Sequence, residues 1–166
     1  MSYLLDTNVF ISAKNLHYGL DFCPAFWDWL IGAGNNGSVF SIDKVADEIE
    51  AGGDELSDWA KHRGKGLFRP THGALAPHFG TLSDWCTRQQ FEPAAINTFF
   101  QGADFYLVAH ALAGSHVVVT HEVMSGDSKR RIKIPNVCIG LGVRFMTPYQ
   151  MLRIEKARFV LRAADR

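Results

Sequence analysis

Apolar and polar positions follow two rhythms along this chain. Short, mostly apolar runs at Tyr3-Leu4-Leu5, Val39-Phe40-Ser41-Ile42, His116-Val117-Val118-Val119-Thr120 and Val143-Arg144-Phe145-Met146 predict buried strands. Leu67-Phe68-Arg69 predicts a minor strand ahead of Pro70. Between these runs the spacing turns helical. Helices are predicted from Val9 to about Leu16, from Pro24 to Ile31 and behind Asp43, where Ile42, Val45, Ala46 and Ile49 share a stripe. Asp54 to His62 predicts another, with Leu56, Trp59 and Ala60 inward, and Leu82, Trp85 and Cys86 suggest one more. Further helices are expected at Pro93–Phe100, at Phe105–Ala113 (apolar all round, hence buried on several sides), and from Thr147-Pro148 to about Ala163. Ile134–Cys138 reads as a short helical turn.

Strands that alternate with helical segments predict a parallel sheet with both faces covered. The expectation is a single domain over 1–166, a three-layer α/β/α sandwich, with 52–100 a mostly helical insertion or side layer. Composition agrees: 47% hydrophobic and 20% charged residues over 166 positions are globular values. The 17 basic and 17 acidic residues balance, so bulk attraction to nucleic acid or membrane is not expected, and any nucleic-acid contact must come from a local patch. Cys23, Cys86 and Cys138 form no C-x-x-C pair and read as reduced thiols of a cytoplasmic protein. No apolar stretch approaches the roughly 18 residues of a membrane-crossing helix, so no membrane partner is expected.

The candidate chemistry lies in the carboxylates. Asp6 ends the first predicted strand, followed by Thr7 and Asn8, and in open α/β sheets that edge binds ligands. Glu48 falls on the helix after the second strand, Asp104 opens the buried helix, and Glu122 follows the triple-valine strand. Each has a plainer reading: Asp6, Thr7, Asn8 or Asp104 as a helix cap, Glu48 as a solvated helix residue, Glu122 as a loop residue. Together they suggest a site for a hard divalent cation, because gathered carboxylates repel one another unless something positive lies among them.

With these residues in place, the chain resembles the PIN domain family. The resemblance rests on Leu5-Asp6-Thr7-Asn8-Val9, Val45-x-x-Glu48, Ala103-Asp104 and Val118-Val119-Thr120-x-Glu122, in that order. The run from Thr120 through Lys129-Arg130-Arg131 to Cys138 resembles a less characterised subgroup with a longer middle region. The resemblance implies a magnesium- or manganese-dependent endoribonuclease, the toxin of a toxin–antitoxin pair. Asp6, Glu48, Asp104 and Glu122 would be catalytic and metal-binding, with Thr7, Asn8 and Thr120 orienting carboxylates and water. Many family members carry aspartate where this chain has Glu122, which leaves Asp127 as a rival for the fourth acidic position. Implied partners are an RNA substrate, a protein antitoxin and a second copy of the chain.

Lys129, Arg130, Arg131 and Lys133 form the one basic run, either a solvated loop or an RNA-backbone contact. The seven histidines show no H-E-x-x-H spacing, though His121 adjoins the acidic set. Trp27, Trp29, Trp59 and Trp85 sit at helical positions and read as packing residues or as part of a dimer or antitoxin surface. No phosphate-binding glycine motif is present. The alternative function is a non-catalytic PIN-like module that binds RNA or a partner through the basic loop. A phosphatase with an aspartyl nucleophile lacks support, because Asn8 stands where a D-x-D start needs an aspartate.

Overall fold

Tyr3–Leu5 (β1) runs down the middle of a parallel sheet, flanked by Val39–Ile42 (β2) and Val117–Val119 (β4). Phe68–Arg69 (β3) and Phe145–Met146 (β5) form the edges, giving the order β3-β2-β1-β4-β5 in the computed structural model, which describes residues 1–162. Leu4 pairs with Phe40 on one side and Val118 on the other. Every residue of β1 and β4 is fully buried. Successive strand residues point to opposite faces, so both faces of the sheet are covered. The chain is a single α/β domain of helices around a parallel sheet.

The helices are α1 (Thr7–Ser12), α2 (Pro24–Asn35), α3 (Asp43–Ala51), α4 (Glu55–His62), α5 (Ala76–Arg88), α6 (Pro93–Gln101), α7 (Ala103–Gly114), α8 (Ile134–Leu141) and α9 (Pro148–Ile154). Helix α7, as its all-round apolarity predicts, packs against α3, α5, α6 and α8 and against β2 and β4. Helix α1 passes directly into a π-helical turn over Ala13–His17, so the first helix is longer than a regular α-helix and wound differently. In the stretch 52–100, α4, α5 and α6 are joined by irregular segments, and β3 adds to the sheet edge beside β2.

Some expectations are corrected. Asp43 does not stand before its helix but is its first residue, with Ile42 at the cap position; its Oδ1 accepts from the Lys44 N–H and from the Thr71 hydroxyl. Ile134–Cys138 is the start of a full helix that runs to Leu141, with Gly142 closing it in the left-handed conformation. The last helix stops at Ile154, well short of the expected Ala163, which itself lies outside the described residues. Lys156 adopts φ 53° and the Ala157 N–H reaches back to the Leu152 carbonyl at 2.9 Å, closing the helix. Phe159 then packs edge-on against Tyr18 and Phe26.

Trp27 and Trp59 are core residues packed edge to face at 4.8 Å. Trp85 is half-buried and lies flat over Gly140 of α8, where an added Cβ would fall inside its indole. Helix propensity alone would reward Gly140→Ala by up to about 1 kcal/mol, but overpacking against a rigid ring costs about 1–3 kcal/mol. The variant is therefore expected to be less stable than the wild type, as read by denaturant unfolding.

Candidate functional site

The sheet's carboxyl edge brings Asp6 and Thr120 side by side, because each directly follows one of two paired central strands. The Asp6 N–H donates to the Val119 carbonyl at 2.9 Å, and Ser41 donates its hydroxyl to the Leu5 carbonyl at 2.6 Å, fixing the end of β1. Thr120 uses its hydroxyl fully: it donates to Asp6 Oδ2 at 2.8 Å and accepts from Asn8 Nδ2 at 3.1 Å and the Glu122 N–H at 3.0 Å. Asn8 Oδ1 in turn accepts from the His121 N–H at 3.1 Å. Asp6 stands at the cap position of α1 but makes no capping hydrogen bond, so its carboxylate is spent elsewhere.

Glu48 spans two helix starts. Its Oε2 accepts from the Thr7 hydroxyl at 2.6 Å and its Oε1 from the Ala103 N–H, the first of α7, at 3.1 Å. Asp104 is the second residue of α7, with Gly102 at the cap position, so capping is not its role. Glu122 lies in the loop beyond β4. Its Oε1 accepts from Arg131 Nη2 at 2.9 Å and its Oε2 from the Ile134 N–H, the first of α8, at 2.9 Å. Sequence reasoning missed the Ala103 and Ile134 amides and the Arg131 ion pair; backbone donors leave no signal in residue types.

Electrostatics tie the four carboxylates together. Asp6 is pushed up to about 8, first by burial and then by Asp104 and Glu122, while the Thr120 hydroxyl holds it down in part. Burial followed by the charges of Glu122 and Glu48 pushes Asp104 up to about 7, against the pull of Arg131. Asp127 is exposed and contributes to neither. Among the described residues no hydrogen-bond donor reaches the Asp104 carboxylate, the side chain that donates to the Asp6 carboxylate is neutral Thr120, and no cation pairs with either. Among those residues, too, no three carboxylates, imidazoles or thiols converge to hold a metal ion as they stand. Both oxygens of Glu48 and of Glu122 are already engaged by protein donors. The donor chemistry nonetheless fits a hard divalent cation, because magnesium takes one or two carboxylates and completes its shell with water.

A cleft of about 390 Å³ opens beside this edge, lined by Glu48 and Asp104 and by Arg130 and Arg131. The basic loop is pinned rather than free. Ile132 is buried, the Lys129 carbonyl accepts from the Glu92 N–H, Arg130 stands 3.8 Å from Glu92, and the Lys129 ammonium lies over the Phe91 ring. Lys133 is half-buried just before α8. On the far side of Asn8, His17, His121 and Tyr149 form a cluster of rings 5.5–5.6 Å apart, with the Tyr149 hydroxyl 2.8 Å from His17 Nε2. Burial lowers His121 below the usual imidazole value.

Fold and site together define a single α/β domain with four carboxylates at the carboxyl edge of its parallel sheet. The chain belongs to the DUF4411 family, described as a domain of unknown function, which it matches over residues 3–159. No curated protein sequence matches it. Among solved structures it is similar to VapBC2 from Rickettsia felis bound to a DNA fragment from its promoter, at TM-score 0.56 and 15% identity, over 89% of this chain and 98% of that one. It is also similar to FitAcB from Neisseria gonorrhoeae, at TM-score 0.54 and 19% identity over 89% and 98% of the two chains. FitAB bound to an IR36 DNA fragment aligns at TM-score 0.53 and 19% identity over 89% and 95%. Among the described residues no helix is long and apolar enough to cross a membrane.

Proposed function

We propose that this protein is a divalent-metal-dependent endoribonuclease and the toxin of a toxin–antitoxin pair. The observation that carries the reading is the meeting of buried Asp6 and half-buried Asp104, two carboxylates without a cationic partner of their own, with Glu48 and Glu122 at one sheet edge. Asp6 and Asp104 would hold a magnesium or manganese ion, which when bound supplies Lewis acidity and an activated water. Thr120 and Asn8 keep the Asp6 carboxylate in one orientation. Glu48, braced by Thr7 and Ala103, is placed to accept a proton from a water entering the cleft. In the hydrolysis, water oxygen bonds to phosphorus, the ester P–O bond breaks, and the leaving ribose oxygen takes up a proton. Arg130 and Arg131 on the cleft rim supply positive charge for the RNA backbone, with Lys129 and Lys133 extending it. The pairing with a protein antitoxin, like the cytoplasmic location it implies, rests on the fold shared with VapBC2 and FitAB.

The test is incubation of single-stranded and structured RNAs with the wild type in manganese, in magnesium and in EDTA, alongside Asp6→Asn. Cleavage confined to the wild type with metal is the expected result; equal cleavage by Asp6→Asn would refute the mechanism. One observation favours a second reading, a non-catalytic module that binds RNA or a partner: Glu122 is neutralised by Arg131 and the Ile134 amide. Tight RNA binding without cleavage in manganese would select it.

A further inference from the structure

A second cavity, of about 530 Å³, shares no lining residue with the acidic cleft. Arg69 and the imidazoles of His72, His78, His110 and His116 line it, and no carboxylate does. Arg69, His116 and His110 are held in place. The Arg69 guanidinium lies 3.8 Å from the centre of the Phe40 ring and makes no ion pair among the described residues. The His116 ring stands edge-on to Phe40 at 4.8 Å, and its Nδ1 is 2.6 Å from the Ser2 hydroxyl. It lies directly over Gly114, where any Cβ would collide with it. His110 is 8% exposed, with Nε2 3.5 Å from the Thr71 hydroxyl and the His72 ring 6.4 Å away.

The carboxylate behind this wall is Asp43, already engaged by the Thr71 N–H and hydroxyl and by the Lys44 N–H. These bonds hold it below the usual carboxylate range, and Arg69 keeps its positive charge for whatever enters the cavity. A guanidinium fork and imidazole N–H groups are donors suited to a phosphate. The imidazoles do not form a metal site, since no three such groups converge among the described residues. The volume exceeds a lone phosphate and lies in the range of small-molecule pockets. The cationic and imidazole groups surround one concavity rather than forming a surface stripe, which favours a terminal phosphate over a nucleic-acid backbone.

We propose that this cavity binds the phosphate group of a small phosphomonoester, gripped by Arg69 and the surrounding imidazoles. The inference is independent of the nuclease reading. It is tested by titrating inorganic phosphate and adenosine 5′-monophosphate into the full chain while following the imidazole signals by NMR, with Arg69→Gln and His78→Gln as variants. Saturable shifts at His110 and His116 are expected. Arg69→Gln should weaken binding about tenfold, the loss of one charge-assisted contact, with circular dichroism and melting unchanged. Either order of affinity supports the phosphate site, and a tighter nucleotide adds a contact to its ribose or base. The proposal is overturned by no saturable shift, by the same shift with chloride at equal ionic strength, or by undiminished affinity in both variants. It is also overturned if an oligonucleotide without a terminal phosphate shifts these imidazoles and the phosphomonoesters do not, which would assign the cavity to RNA.

Discussion

Asp104→Asn is expected to stabilise the metal-free protein and to abolish metal-dependent RNA cleavage. The two effects share one cause. The Asp104 carboxylate is half-buried at the cleft, close to the charges of Glu122 and Glu48, and receives no hydrogen bond among the described residues, so at neutral pH its charge opposes folding. Asparagine keeps the shape and removes the charge. The gain should be roughly 2 kcal/mol in EDTA, or about 4–8 °C in melting temperature for a chain of this size. Residues that merely support a metal ligand cost about 10–100-fold when mutated, so loss of a ligand should cost cleavage about a hundredfold or more. Asp127→Asn, at an exposed position outside the cluster, should change neither quantity. Higher melting with cleavage retained would leave Asp104 as an electrostatic burden with no part in the chemistry. Unchanged melting would contradict the charge cluster itself.

The second large effect is on the pH dependence of stability in EDTA. An unfolded aspartate titrates near 4, whereas Asp6 and Asp104 in the fold are pushed up to about 8 and about 7. Between those limits the native state holds more protons than the unfolded chain, so stability falls as pH rises, by up to about 1.4 kcal/mol per pH unit per group. Two sets of groups act in the opposite direction. His110, His116 and His121 are lowered by burial, so their contribution is lost as pH falls below about 6.5. Asp43 and Asp54, held low by hydrogen bonds, lose theirs only below about 4. Subtracting the curve of an Asp6→Asn/Asp104→Asn variant isolates the acidic pair. The difference should widen from pH 4 to pH 8 in EDTA; under the proposed function it should also shrink with magnesium, since a cation held by the deprotonated carboxylates would stabilise the fold that holds them. A flat difference curve would mean that the two carboxyls titrate normally in the fold.

The acidic edge was legible because Tyr3-Leu4-Leu5-Asp6 puts a polar residue at the end of a solid apolar run, a pattern set by the sheet itself. The alternation of strands and helices likewise sufficed for the sandwich. Glu122 and Asp127 lie in one polar loop and the sequence does not separate them; the structure gives Glu122 the Ile134 amide and Arg131 as partners and leaves Asp127 exposed. The C-terminal helix was misjudged because residues 155–158 have good helix propensity. The helix is closed at Lys156, and the chain then turns back to seat Phe159 against Tyr18 and Phe26, distant partners that local spacing does not encode. The histidine-lined cavity was invisible for the same reason, since its residues come from β2, β3 and the segment after it, α5, α7 and the approach to β4.

Asp6 and Thr120 meet across paired strands although they lie 114 positions apart. Strand β4 occupies the middle of the sheet between β1 and β5, and both Asp104 and Glu122 come from the last two-fifths of the chain. A chain still leaving the ribosome with its first hundred residues exposed therefore owns only Asp6 and Glu48. No sheet it can build at that stage contains the strand that orients Asp6. The acidic edge is complete only once β4 has paired with β1, which sets Thr120 beside Asp6.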